Sequence, residues 1–248
     1  MALPEIVDRA EWLVARKALL AREKELTRAR DAVSADRRRL PMVRVEKDYV
    51  FTGPHGQATL LDLFEGRDQL ILTHFMFDPS WSQGCPSCTA GADEVSRGLL
   101  EHLHTRGTTL AFCSRAPIDK IERYRAERGW DFPWWSSYGS DFNVDFHVTL
   151  DPAQAPVMFN YRSAEEWESL GAPLSVTPGS PQEQPGDSVF LRVGDEVFHT
   201  YSDFGRGTEW TGGSYAFLDL TPLGRQEEWE EPKGRADFVR ADRPDFAS

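Results

Sequence analysis

Apolar residues recur every seven positions through the first forty residues, at Trp12, Leu19, Leu26 and Val33, with mostly charged residues between them. That spacing predicts one long helix over residues 8–39 with a narrow apolar stripe. Asp8 can cap its start, Glu11 stands where the reciprocal partner of a capping box belongs, and Pro41 forbids continuation past Leu40. So narrow a stripe suits packing on another surface, either the chain's own domain or a second copy in a homodimer. Beyond Pro41 the period shortens to two. "VRVEKDYVFTGPHGQATLLDLF" alternates apolar and polar residues up to a Gly-Pro-His-Gly turn, which predicts a hairpin followed by a short helix start.

The next stretches alternate in kind. "QLILTHFMF" is too short for a helix and too apolar for an exposed strand, so a strand covered on both faces is expected. "GADEVSRGLLEHLHTRG" has helical spacing through Val95, Leu99, Leu100 and Leu103 and stops at Gly107. "TTLAFCSRA" predicts a second buried strand, and "PIDKIERYRAERGW" a helix headed by proline with Ile118, Ile121 and Tyr124 on one face. Strand, helix, strand, helix in that order implies a parallel α/β sheet. Residues 130–186 are rich in aromatics, turns and prolines, with one short helical pattern near Ala164 to Leu170, and read as an irregular insertion over one edge or mouth of the sheet. "DSVFLRVGDEVFHTYSDF" predicts a hairpin turning at Val193-Gly194-Asp195. A further helix is expected from "LDLTPLGRQEEW", and residues 227–248 form a charged, proline-interrupted tail. The organisation is therefore a helical arm over 1–40, a domain over 41–226 and the tail.

Composition narrows the function. The formal net charge of −12 and a pI near 5.0 set the chain against polyanions, so neither nucleic acid nor an anionic membrane surface is an expected partner. The run Arg37-Arg38-Arg39 reads as a solvated helix end. The first residues carry charges where a signal peptide needs an apolar core, and the longest apolar run, Leu70 to Phe77, is interrupted by Thr73 and His74. Three cysteines are too few for a disulfide framework, which favours a reducing cytoplasm.

Two of those cysteines stand in Cys85-Pro86-Ser87-Cys88, after the first buried strand and before a helix. A cysteine at a helix N-terminus meets unpaired N–H groups and the positive end of the dipole, both of which favour thiolate over thiol. Cys88 lies one turn deeper on the same face, within reach for a disulfide. Cys85 is thus the candidate nucleophile and Cys88 the resolving thiol. Two other readings remain open: a purely structural pair, or zinc held by Cys85, Cys88, a histidine and Cys113, which requires Cys113 to turn out of its strand. Trp81 could form an apolar platform beside the thiol, and Arg115, at the C-terminal edge of the sheet, could hold the thiolate or an anionic substrate. His199 is a candidate proton donor or thiol partner. His74 and the aromatic series Trp130, Phe132, Trp134, Trp135 and Tyr138 are read as core, or as a pocket lining in the case of the aromatics.

The segment order is similar to that of the thioredoxin-like superfamily, in its peroxiredoxin-like variant. More narrowly, "EWLVARKALLAREKELTRARD", "RVEKDYVF", "HFMF", "GCPSC", "SRAP", "GSDFN", "VFHTY" and "LDLTPLGR" identify the chain as a member of the bacterial domain-of-unknown-function 899 family, over about residues 11–226. The resemblance implies a central sheet flanked by helices. The resemblance says little of activity; from the cysteine pair itself, thiol-disulfide oxidoreductase chemistry is expected, with no organic cofactor and no metal, a disulfide-containing protein or small molecule as substrate, and an external electron donor. Two other outcomes fit the resemblance: small-molecule sulfur or peroxide chemistry at Cys85, or a non-enzymatic binding module. In place of the cis-proline that thioredoxins set opposite their cysteines, this sequence has Asp187 or Ser188, and Ser188 is taken as the binding candidate. The peroxiredoxin motif is also incomplete: Ser82 stands three before Cys85, but Asp78 replaces the proline seven before it.

Overall fold

A computed structural model describes residues 4–37, 39–104 and 107–210. The expected C-terminal helix and the charged tail lie outside the described residues. Among the described residues two units are distinguished, one of residues 4–37 and 39–41 and the other the sheet domain, residues 42–104 and 107–210. Helix α1 spans Arg9–Arg37. The backbone N–H of Glu11 donates to Asp8 Oδ1 (2.9 Å) and that of Asp8 to Glu11 Oε2 (3.3 Å), the reciprocal cap expected from the sequence.

Among the described residues the domain is built on an eight-stranded sheet, beside two two-stranded ones. Strands β1 (Val43–Arg44), β2 (Val50–Gly53) and β3 (Gly56–Thr59) precede a short 3-10 turn, Asp62–Phe64, and β4 (Gln69–His74). Helices α2 (Pro86–Asp93) and α3 (Arg97–His104) lead to β5 (Thr108–Ser114), and α4 (Ile118–Arg128) leads to β6 (Trp134–Ser136). After α5 (Phe142–Asp145) come the short strands β7 (Thr149–Leu150), β8 (Met158–Phe159) and β9 (Arg162–Ser163). Helix α6 (Ala164–Ser169) and β10 (Gln182–Glu183) follow, and the hairpin β11 (Gly186–Val193) and β12 (Glu196–Phe204) closes the sheet. The order is β1-β12-β11-β4-β5-β6-β2-β3, with β4, β5 and β6 parallel and β11 antiparallel to β4.

Alternation along the strands sends side chains into two separate cores. Leu70, Leu72, Cys113 and Phe190 point to one face, where Tyr49, Phe51, Leu63, Phe64 and Phe142 pack on them. Phe112 and Trp134 point to the other, against Phe75, Phe77, Ala92 of α2, and Ile121 and Tyr124 of α4. Each such side chain, fully buried, stabilises the fold by roughly 1.5–3 kcal/mol relative to exposure. The second layer is the one on which the cysteine helix sits.

Two expectations need correction. The pattern "GADEVSRGLLEHLHTRG" is not one helix: α2 ends at Asp93 and α3 begins at Arg97. Ser96 makes the break, its hydroxyl accepting from the Leu99 N–H (3.2 Å) as a new helix cap while its carbonyl accepts from Leu100 (3.2 Å). The aromatic stretch after Gly129 is not wholly irregular either. Trp134–Ser136 joins the sheet beside β5, and Trp130, Phe132 and Trp134 are buried core residues, while Tyr138 is exposed. The short helix near Ala164 is present and carries its own capping box, with Ser163 and Glu166 as partners.

Candidate functional site

Strand β4 ends at His74, and the chain then loops through residues 75–85 before entering α2. The loop is tied down along its length. The Cys85 N–H donates to the Met76 carbonyl (3.0 Å), and Lys120 of α4 donates to the carbonyls of Pro79 and Trp81, both at 2.7 Å. Arg115, just past β5, reaches Asp78 (2.5 Å) with one nitrogen and Glu183 of β10 (2.6 Å) with another. Glu183 also accepts from the Thr149 hydroxyl at 3.2 and 3.1 Å. Burial lifts the Glu183 carboxyl above its ordinary range even though Arg115 pulls the other way.

Cys85 is the N-cap of α2 and Pro86 its first residue, so the proline ring occupies a position that has no N–H to lose. The Cys85 carbonyl is held from within the helix by both the N–H and the hydroxyl of Thr89, each at 2.9 Å. That hydroxyl also meets Tyr124 Oη at 2.9 Å, fixing α2 to α4. Gly84, immediately before, lies against the ring of Phe75, where an added Cβ would overlap ring carbons. Phe75 is itself packed on Trp134 with ring centroids 4.6 Å apart, so it has little room to yield. Gly84→Ala is therefore expected to cost about 1–3 kcal/mol, read as a lowered urea midpoint; an unchanged midpoint would show that the packing is loose.

The two sulfurs differ in character. Cys85 is pulled from its ordinary 9.0 to about 6, first by a hydrogen bond from the Cys88 thiol, then by the N–H groups of Cys88 and Ser87 and the Ser87 hydroxyl. Burial opposes these donors and loses. Cys88 goes the other way, well above the ordinary value, because it donates to Cys85, its sulfur is poorly hydrated, and it feels the negative charges of Cys85 and Asp187; the Met76 N–H offsets only part of this. One thiol is thus ionised at neutral pH and the other held protonated. Cys85, expected from the sequence to be the exposed sulfur, is buried, with 9% of its surface exposed, and Cys88 is half-buried; Pro86 and Ser87, which separate them, are exposed. All three cysteines are free thiols.

Parity along β11 decides which residues face this pair. Asp187 pairs with Thr73, accepts from its hydroxyl at 2.6 Å, and points to the side of the sheet that carries Phe112 and α2. Ser188 pairs with Leu72 and points to the opposite side, where its hydroxyl bonds His74 Nε2 (2.8 Å) and Ser202 Oγ (2.8 Å). Of the two residues at that place in the sequence, Asp187 and not Ser188 stands on the cysteine face. His199 is likewise remote, bonded to Ser202 Oγ (2.8 Å) and stacked edge-on against Phe146. Arg115 is engaged by Asp78 and Glu183 and is not among the groups that lower Cys85. Trp81 is 38% exposed on the loop, its carbonyl held by Lys120. The site candidates thus separate into Cys85, Cys88 and the Trp81 loop on one side, and Ser188 with His199 on the other.

Cys113 pairs in register with His74 on the side opposite α2, donates to Asn143 Oδ1 (3.8 Å), and is pushed by burial up to about 12. The zinc reading needed it turned towards Cys85, and the strand does not allow that. Among the described residues no group of three or more His, Cys, Asp or Glu is arranged to hold a metal ion, and no helix is long and apolar enough to cross a membrane. Ser87 and Met76 escaped the sequence reading as donors. Ser87 was legible, since any residue in the first turn of a helix headed by cysteine offers its N–H; Met76 depends on how the loop folds back.

Residues 1–243 match the family described as "Bacterial protein of unknown function (DUF899)". No curated protein matches the chain. Among solved structures it is similar to a cysteine mutant of peroxiredoxin Q from Xanthomonas campestris, at 15% identity and a TM-score of 0.38, covering 64% of this chain and 80% of that one. It is also similar to a mutant of PrxQ from Xylella fastidiosa, at 13% identity and a TM-score of 0.39, covering 69% and 91%. The fold is thioredoxin-like on its own topology: parallel β4 and β5 joined through the cysteine helix, then an antiparallel hairpin added beside β4.

Proposed function

This chain belongs to the bacterial family DUF899, and we propose that in it Cys85 and Cys88 form the working pair of a thiol-disulfide oxidoreductase. What supports the reading is the placement of the pair, Cys85 at the N-cap of α2 and Cys88 within its first turn, together with their opposed shifts, Cys85 lowered to about 6 and Cys88 raised. In the first step the Cys85 thiolate attacks one sulfur of a substrate disulfide, forming a mixed disulfide and releasing the other sulfur as a thiolate that takes a proton from water. In the second, Cys88 loses its proton and attacks Cys85 Sγ, closing a Cys85–Cys88 disulfide and releasing the second substrate thiol. Two electrons pass from the pair to the substrate, and an external dithiol, available in a reducing cytoplasm, returns them.

The hydrogen bond that lowers Cys85 disappears once Cys85 is in a mixed disulfide, which frees the Cys88 thiol for the second step. Asp187, the carboxylate whose charge reaches Cys88, would draw off that proton. Peroxide reduction finds less support, because Asp78 holds Arg115 and Ser80 where the peroxiredoxin motif has proline.

The test is a trap. With Cys88→Ser, the mixed disulfide has no resolving thiol and is expected to accumulate at Cys85 on exposure to oxidised glutathione, adding one glutathionyl group to the intact mass. The unsubstituted protein should instead end as an internal disulfide lighter by two hydrogens. An adduct on Cys113, or none at all, would defeat the reading.

A further inference from the structure

On the sheet face opposite the cysteine helix, a cleft of about 310 Å³ opens between β1, the turn after α5, the loop joining β8 to β9, and β12. That volume is at the lower end of the range in which small-molecule sites fall. Its walls are aromatic, with Phe146, Tyr161 and Phe204 among them, and its polar groups converge from His147, His199 and Ser202. The polar floor is built in depth. His199 Nε2 meets Ser202 Oγ, Ser202 meets Ser188, and Ser188 meets His74, each at 2.8 Å. Tyr161 donates its hydroxyl to the Ser202 carbonyl at 2.9 Å.

Both cations that line this cleft are engaged by carboxylates. Lys47 is held between Asp141 and Asp145, both at 2.7 Å, and Tyr49 donates to the same Asp145 at 2.8 Å. Arg44 is paired with Glu196 at 2.8 Å. Burial keeps both His147 and His199 below the ordinary histidine range, hence uncharged at neutral pH. The backbone turns sharply here: His147 (φ 56°) follows the end of α5, and Tyr161 (φ 61°) shares with Asn160 (φ 47°) the two-residue turn between β8 and β9.

We propose that this cleft binds a neutral, planar aromatic molecule of about two fused rings bearing a hydroxyl or carbonyl group. The rings would lie among Phe146, Tyr161 and Phe204, where edge and face contacts are available. The polar substituent would reach a histidine nitrogen, which can act as donor or acceptor according to its tautomer. An anion would gain no unpaired cation there, since Arg44 and Lys47 are both engaged, and would forfeit its hydration. The inference is independent of the redox reading, since no cysteine lines the cleft.

The probe is 1-naphthol, titrated into the full chain by calorimetry. Saturable one-to-one binding with Kd below about 1 mM is expected, a modest affinity suited to a ligand this small. Val43, two-thirds exposed at the mouth of the cleft, supplies the blocking variant: Val43→Trp should weaken binding by about tenfold or more, while Val43→Thr keeps it. 1-Naphthoate should bind at least about tenfold more weakly than 1-naphthol. The double variant Cys85→Ser, Cys88→Ser should bind as the parent does. The proposal is overturned by absence of saturable binding, by unchanged binding in Val43→Trp, by naphthoate binding equally well, or by loss of binding in the cysteine variant.

Discussion

Cys85→Ser is expected to reduce insulin disulfide cleavage, driven by an external dithiol, to the uncatalysed background. The same variant should lose the rapid phase of iodoacetamide labelling. What makes the prediction sharp is its pH profile. A thiol titrating at about 6 is roughly nine-tenths ionised at pH 7, against about one-hundredth for a thiol at 9. Intrinsic nucleophilicity falls with pKa, by about 20-fold over three units at a Brønsted slope near 0.45. The net advantage at pH 7 is therefore only several-fold, and it grows to tens-fold near pH 5. As pH falls through 6 the nucleophile is protonated and the labelling rate is lost; from pH 7 to 9 the rate is flat. Cys88→Ala removes the strongest donor to Cys85 and should move the inflection upward by a unit or more. A wild-type rate still climbing between pH 8 and 9 would mean that Cys85 is an ordinary thiol.

Arg115→Ala carries the largest expected loss of stability. It leaves Asp78 and Glu183 without their shared cation, and the Glu183 side chain is only 2% exposed. Removing one partner of a buried ion pair typically costs about 3–5 kcal/mol, because the remaining charge has no counterpart. The pH dependence follows from Glu183. Its carboxyl is already raised by burial, and loss of Arg115 raises it further. At low pH the folded variant can therefore relieve its burial by taking up a proton, so the deficit relative to wild type should shrink from pH 8 towards pH 5. Adding Glu183→Gln to Arg115→Ala should restore part of the lost stability at pH 8. Urea unfolding of the three proteins at both pH values decides this, and a pH-independent deficit would show that Glu183 is not the group responsible.

Much of the central scaffold was legible because its signals are local. Alternation and short apolar runs mark β4, β5 and the β11–β12 hairpin, and Asp8 with Glu11 marks the head of α1. The Cys85-Pro86-Ser87-Cys88 cap was legible for the same reason, since a helix start and its thiol lie within one turn of each other. What escaped depends on register or on distant partners. Ser96 looks like any polar helix residue until its hydroxyl caps a second helix. Trp134–Ser136 is too short and aromatic to announce a strand, and gains that identity only by pairing with β5. Choosing between Asp187 and Ser188 requires the parity of β11 against β4. Glu183, in a proline-rich stretch without periodicity, acquires meaning only when Arg115 arrives from 68 positions away.

Among the described residues the outermost members of the sheet are β1, two residues long, and β3, four residues long. Such brief margins expose few free backbone donors and acceptors, so a foreign strand finds almost nothing to extend. The broad hydrogen-bonded platform beneath the two thiols can thus be wide without inviting the side-by-side stacking that leads to fibrils.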